Sequence, residues 1–164
     1  ANLEEDFSDA LGGAEAVIFA AGSGGHTGPE KTMTVDLWGS IKAVDYAIDK
    51  GIKRFVQLSS VGAGDPDAFD EKIKHYMVAK GVSDHHLQVT DLDYTIVRPG
   101  PLTNEAAKGK IKTADTFADV WEDSITRADV AQILVDVLDR KNTYGKTFEV
   151  LQGDKEISDA LDAL

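Results

Sequence analysis

The sequence predicts an α/β fold around a parallel sheet, because short apolar runs alternate with segments of helical periodicity. Alternating strands and helices form βαβ units, whose right-handed connections leave the strands parallel. The composition, with 42% apolar and 28% charged residues, is ordinary for a globular protein. We therefore expect residues 1–164 to form a single domain with a sizeable core.

Four short runs predict the strands of this sheet. Each is rich in β-branched or aromatic residues and almost continuously apolar, as is typical of strands that helices cover on both faces. They are residues 16–20, 54–58, 94–97 and 147–151.

Apolar residues at helical spacing predict helices between these strands. The first helix is marked by Leu37, Ile41, Val44 and Ile48. Gly51 supplies its natural stop, and a second helix covers about residues 72–87.

The C-terminal half predicts two further helices. Thr126 can cap one of them, with Asp129 as its partner in a capping box. Residues 154–164 predict a short terminal helix. Residues 101–122 show no clear period and predict a mobile or substrate-facing loop.

The charge and the cysteine content exclude several functions. A net charge of -12 and a pI near 4.6 argue against nucleic-acid binding and against attachment to anionic membranes. No apolar run reaches the length of a membrane span, and a cytoplasmic location is expected. The absence of cysteine excludes disulfides, a thiol nucleophile and a thiolate metal site, and the four histidines show no convincing metal spacing.

Small, polar and turn-forming residues follow three of the predicted strands, at residues 21–26, 59–62 and 98–101. Ligands of open parallel sheets bind outside the carboxyl ends of the strands, where small residues let a dinucleotide approach the backbone. Strands also end in turn residues where no ligand binds. Three such ends on one sheet edge favour a binding site.

Tyr76 and Lys80 lie four residues apart on the second predicted helix, so their side chains share one face. A phenol with a pKa of about 10 is a poor acid–base group near neutral pH, unless a cation such as Lys80 favours the phenolate. The Ser60 hydroxyl could complete a site by holding a substrate oxygen. Alternatively, Tyr76 is an ordinary surface tyrosine, and Ser59 and Ser60 only satisfy backbone groups.

Three other side chains are expected to be structural. Arg98 is expected to form a structural ion pair, and Trp38 and Trp121 are expected to pack against their neighbours. Trp121 could also line a pocket from its loop.

Four segments, in this order, resemble segments of the short-chain dehydrogenase/reductase family, in particular its atypical, NmrA-like subgroup. They are residues 17–22, 54–62, 94–100 and 126–131. The resemblance implies a doubly wound, Rossmann-like three-layer sandwich that binds NAD or NADP, NADP being slightly favoured. It further implies an oxidoreductase or epimerase that acts on a small carbonyl or sugar-like substrate, as a monomer or homodimer. The alternative within the family is a non-catalytic, NAD(P)-sensing regulator.

The resemblance also assigns roles to individual residues. Tyr76 would be the general acid/base, Lys80 its electrostatic helper and ribose contact, and Ser60 the group that polarises the substrate carbonyl. The implied cofactor contacts are Asn2, Leu3, Ala20, Ala21, Gly22, Ser59, Tyr76, Lys80, Pro99, Gly100 and Leu102.

Two features depart from the family pattern. No G-x-G-x-x-G motif stands in the sequence, and residue 1 corresponds to the family's third strand. We therefore expect the first two β–α units to be missing and the affinity for NAD(P) to be weak. In addition, Asp36 stands roughly where many members carry an asparagine that supports a proton relay.

Overall fold

Six strands form the central sheet of the protein, whose computed structural model describes residues 1–118 and 123–164. The sheet has the strand order β1-β2-β3-β7-β5-β8. Its strands are β1 (Ala16–Phe19), β2 (Arg54–Leu58), β3 (Asp93–Pro99), β5 (Lys110–Ala114), β7 (Lys146–Gln152) and β8 (Lys155–Glu156). Strands β1, β2, β3 and β7 pair in parallel, whereas β5 pairs antiparallel with β7 and β8. A separate parallel pair joins β4 (Leu102–Thr103) to β6 (Ile125–Thr126).

Helices occur in all four predicted places, but the first helical segment begins at Pro29, ahead of the predicted apolar residues. They are α1 (Pro29–Lys31), which continues through a π-helix (Thr32–Leu37) into α2 (Trp38–Asp49), then α3 (Glu71–Gln88), α4 (Arg127–Asp136) and α5 (Ile157–Asp162). Gly51 follows α2 with a φ of 71°, a left-handed conformation that favours glycine. The Thr126 side chain accepts a hydrogen bond from the Asp129 backbone N–H at 3.0 Å, which confirms the predicted cap.

Helices cover both faces of the sheet, so the predicted three-layer α/β fold is confirmed. Phe55 and Val56 are neighbours on β2 and fully buried, yet they belong to different core clusters, because successive side chains of a strand point to opposite faces. Ile96 and Val97 divide in the same way on β3. One cluster packs under α2 and α3, and the other under α4 and α5.

The predicted loop at residues 101–122 is wrong in part, because β4 and β5 lie within it. Ile111 is fully buried, and β5 finds hydrogen-bond partners on β7, which lies far away in sequence. The packing role expected of Trp38 is also wrong, since its side chain is about half exposed, at 52%. Trp121 lies outside the described residues. None of the described helices combines the length and apolarity that crossing a bilayer requires.

Candidate active site

Two neighbouring cavities open where β1, β2 and β3 end. The smaller, of about 340 Å³, is bordered by the residues that follow β2 and β3. The larger, of about 740 Å³, is bordered by the glycine-rich residues that follow β1. Four residues line both cavities, namely Ile73, Tyr76, Leu102 and Arg127. We call the two cavities together the cleft; Tyr76 stands at their junction.

Most of the residues predicted for the site border this cleft. Those that line it are Ala20, Gly22, Ser59, Ser60, Tyr76, Pro99, Gly100 and Leu102. The four that line neither cavity are Asn2, Leu3, Ala21 and Lys80. The predicted clustering of three strand ends at one sheet edge is therefore what the structure contains.

The Tyr76 phenol is held in its neutral form. Burial raises its pKa to about 12, the negative charge of Asp36 acts in the same direction, and hydrogen bonding from the Ser60 hydroxyl partly offsets both. Asp84 adds a smaller effect that also raises the pKa. The expectation that Lys80 would favour the phenolate is wrong for this structure, and Tyr76 instead presents a proton donor to the cleft.

Lys80 is buried and lines neither cavity of the cleft. Its ammonium Nζ donates a 2.6 Å hydrogen bond to the Leu58 carbonyl oxygen at the end of β2, and only 3% of the residue is exposed. Burial lowers the pKa of this amine, while Asp84 and Asp36 partly counteract that effect. The ammonium of Lys80 is thus engaged by the strand end, and the ribose contact implied for it stays a prediction.

Asp36 is a buried carboxylate beside the glycine-rich loop. It lies on the π-helix, an irregularity that occurs frequently at functional sites, and it lines the larger cavity. One of its oxygens accepts a 2.8 Å hydrogen bond from the Ser23 backbone N–H. A β-carbon on Gly22 would lie 2.9 Å from its other oxygen, so the loop approaches this closely only with glycine there.

Asp84 is a functional residue that the sequence analysis missed. Its side chain is 1% exposed and accepts hydrogen bonds from Arg98 at 2.9 Å, from the Ser59 hydroxyl at 2.7 Å and from the Gln57 amide at 2.7 Å. The structural ion pair predicted for Arg98 is thus confirmed. The only available signal was helical spacing, since Asp84 lies one turn beyond Lys80 on α3.

This network also corrects the role of Ser59. Its hydroxyl is directed to Asp84 and its backbone N–H to the Val97 carbonyl oxygen, at 2.8 Å. The Ser59 hydroxyl thus serves a side-chain carboxylate and not a backbone group, while both Ser59 and Ser60 line the smaller cavity.

Asn2 and Leu3, two of the implied cofactor contacts, do not line the cleft. The Asn2 side chain accepts a 3.1 Å hydrogen bond from the Glu4 backbone N–H, and Leu3 packs beside Gly39 of α2. Leu3 also packs against the apolar core next to Phe7. Both residues are thus engaged in local turns and core packing.

The residues around the cleft leave room for a ligand and offer it polar groups. Added β-carbons on Gly24 and Gly25 would meet no atom within 4 Å, so the backbone beside the larger cavity is open to a ligand. The Ser60 hydroxyl and the Tyr76 phenol supply polar groups at the smaller cavity. Among the residues that the structure describes, no group of three or more His, Asp or Glu side chains could hold a metal ion.

Similar proteins have been named as epimerases and as an oxidoreductase. Residues 1–141 match a family model described as NAD(P)H-binding. A Bacillus subtilis (strain 168) protein named as an uncharacterized sugar epimerase, YhfK, is 42% identical over 167 residues, which cover 100% of this chain and 77% of that protein. A solved Bacillus halodurans structure, provisionally named as an NAD-dependent epimerase/dehydratase, is 51% identical with a TM-score of 0.97, and the match covers 100% of this chain and 76% of that one. The oxidoreductase ylbE of Lactococcus lactis is 32% identical with a TM-score of 0.86, over 98% of this chain and 72% of that one.

Proposed function

This chain belongs to the NAD(P)H-binding family, and from that premise we propose that it is an NAD(P)-dependent oxidoreductase or epimerase-type enzyme acting on a small carbonyl or sugar-like substrate. The observation that carries the proposal is the position of the neutral Tyr76 phenol, at the junction of two cavities and beside Ser60. The names of the relatives, an epimerase and an oxidoreductase, support the same chemistry.

The proposed chemistry divides between cofactor and protein. A bound NAD(P)H supplies the hydride, and the protein orients the reactants and manages the proton. The Ser60 hydroxyl holds the carbonyl oxygen of the substrate at the smaller cavity. Tyr76 then donates its proton to that oxygen, since a phenol with a pKa of about 12 carries its proton near neutral pH.

A Tyr76→Phe variant tests the proton-donor role. We expect the turnover of NADPH or NADH with a panel of carbonyl compounds to fall by about 10²- to 10⁴-fold, the range for the loss of a general acid. The dissociation constant of the dinucleotide should change little, because the ring remains. The assay uses protein expressed from the complete gene, and the ratio of NADPH to NADH turnover tests whether NADP is the preferred cofactor.

Tyr94→Phe is the matched control. Tyr94 lies near the start of β3, at the opposite edge of the sheet from the cleft, so its variant should retain full turnover. Undiminished activity of Tyr76→Phe would overturn the assigned role.

A non-catalytic, dinucleotide-sensing protein is the second candidate. Asp36 favours it, because this residue stands roughly where many family members carry an asparagine that supports a proton relay. In that case the wild-type protein would bind NADPH, and neither it nor Tyr76→Phe would turn over any compound of the panel.

A further inference from the structure

Arg127 brings a positive charge to the same cleft as Tyr76. It is the first residue of α4 and lines both cavities, together with Tyr76 and Leu102. In the smaller cavity it therefore shares the walls with the two residues proposed to act on the substrate carbonyl, Ser60 and Tyr76.

Among the described residues, the hydrogen-bond partners of Arg127 carry no negative charge. Its Nη1 donates to the Asn104 side-chain oxygen at 2.8 Å and to the Leu102 carbonyl oxygen at 3.4 Å, and both partners are neutral. Within residues 1–118 and 123–164, Arg127 has no ion pair with a carboxylate. A guanidinium has five N–H donors in a planar fork, which matches a carboxylate in geometry and charge.

The charged residues around the larger cavity also favour the binding of an anion. Lys72 lines this cavity with Arg127, and His75 lies beside them. The one acidic residue in its described wall is Asp36, which already accepts the Ser23 N–H. In a protein with a net charge of -12, local cations are what allows an anion to bind.

We propose that Arg127 selects an organic anion as the substrate, namely a carbonyl compound that carries a carboxylate. This inference rests on the proposed function and adds the chemical class of the substrate. The volume of the smaller cavity, about 340 Å³, is near the lower end of the range for ligand sites, which suits a small substrate better than a dinucleotide. The anion held by Arg127 is therefore assigned to the substrate and not to a cofactor phosphate.

Matched pairs of keto acids and their methyl esters test the proposal, with NADPH oxidation as the readout. We expect the wild-type protein to prefer the acid of each pair. Arg127→Met should raise KM for the acid by about 10- to 100-fold, the effect of losing a charge-assisted hydrogen bond, and should leave KM for the ester within about twofold. For Arg127→Lys, KM for the acid should lie between the values for the wild-type protein and Arg127→Met. Lysine keeps the positive charge but lacks the planar array of N–H donors.

Two control variants separate charge from structure. Lys53→Met removes an exposed cation just before β2, at the opposite edge of the sheet. It should change KM neither for the acid nor for the ester. Asn104→Ala removes the neutral partner of Arg127 and keeps its charge, so the preference for the acid should persist. If Asn104→Ala reproduced the loss seen in Arg127→Met, the role of Arg127 would be structural and the proposal wrong.

The outcomes distinguish this proposal from the proposed function. Equal turnover of acid and ester by the wild-type protein, with Tyr76→Phe still inactive, would overturn the anion preference alone. Weaker NADPH binding by Arg127→Met with an unchanged acid preference would assign Arg127 to a cofactor phosphate and overturn it as well. If no compound is turned over, calorimetric titration of the NADPH-bound protein with the keto acids measures their binding directly. Binding of the acids by the wild-type protein that is lost in Arg127→Met would support the proposal. No binding to the wild-type protein would reject it.

Discussion

Tyr76 shows that burial, more than spacing in the sequence, determines the protonation of a side chain. A lysine one helical turn away predicts a phenolate, yet the pKa of Tyr76 is raised to about 12. The Lys80 ammonium is engaged by the Leu58 carbonyl oxygen, while the Asp36 carboxylate acts against ionisation of the phenol. The same Tyr-x-x-x-Lys spacing therefore positions a proton donor in this structure.

At the residue scale, Asp36→Asn should lower the pKa of Tyr76. Removing a negative charge near the phenol makes the phenolate less unfavourable. The pKa is measured from phenolate absorbance, with Tyr76→Phe used to assign the transition. Asp45→Asn, an exposed substitution on α2, should leave the Tyr76 transition unchanged. An identical titration in Asp36→Asn would show that its carboxylate does not act on the phenol.

The raised pKa of Tyr76 also makes the stability of the fold depend on pH. Because the pKa of folded Tyr76, about 12, lies above the value of about 10 in the unfolded chain, the folded state favours the neutral phenol. The stability associated with this group is complete below about pH 10 and is lost as the pH rises toward about 12.

At the scale of elements, one buried carboxylate joins a helix to two strands. Asp84 of α3 contacts Gln57 at the end of β2, Ser59 just beyond it, and Arg98 on β3. The helix that carries Tyr76 is thereby held against the strand end that carries Ser60. Asp84 is thus a positioning residue, and it acts on the cleft through its partners.

Asp84→Ala should destabilise the fold by about 3–5 kcal/mol, because it leaves the Arg98 guanidinium buried without its partner. Urea unfolding measures this loss. Replacing the pair with Asp84→Leu and Arg98→Met together should cost less than Asp84→Ala, since neither charge then remains buried. Asp91→Ala, an exposed control, should change the free energy of unfolding by less than about 0.5 kcal/mol. If Asp84→Ala also changed the free energy of unfolding by less than about 0.5 kcal/mol, the buried ion pair would not stabilise the fold as proposed.

Elements with local signals were predictable, whereas elements that depend on distant partners were not. Thr126 carries its capping signal within four residues, and Gly51 marks a helix end by its own conformation. The strand β5 has no such signal, because it is stabilised by pairing with β7, about 40 residues further along the chain. Hydrophobic periodicity therefore located the four parallel strands of the central sheet and missed β5 and the two-residue strands β4, β6 and β8.

At the scale of the whole molecule, the sheet brings distant segments of the chain to one edge. Ser60 follows β2, Tyr76 lies on α3 and Arg127 begins α4, yet all three border the smaller cavity. The buried Glu149 of β7 adds to this convergence by accepting hydrogen bonds from the backbone N–H groups of Gly62, at 3.2 Å, and Phe117, at 2.7 Å.

The 164-residue chain should bind NADPH weakly, because its sequence contains no G-x-G-x-x-G turn to hold the pyrophosphate at a helix N-terminus. Isothermal calorimetry of this chain with NADPH measures the affinity. A dissociation constant in the micromolar range would show that the residues around the cleft suffice for binding.

The sequence by itself determined the fold class, the four parallel strands, the cap at Thr126 and the sheet edge where the cleft lies, since periodicity, capping and strand ends are local properties of the chain. Only the tertiary structure decided that Ser59 turns to Asp84, that Lys80 turns to Leu58 and that Arg127 reaches the cleft of Tyr76. Side-chain direction, burial and the pKa that follows from them depend on which elements pack together. Those contacts join residues far apart in the sequence.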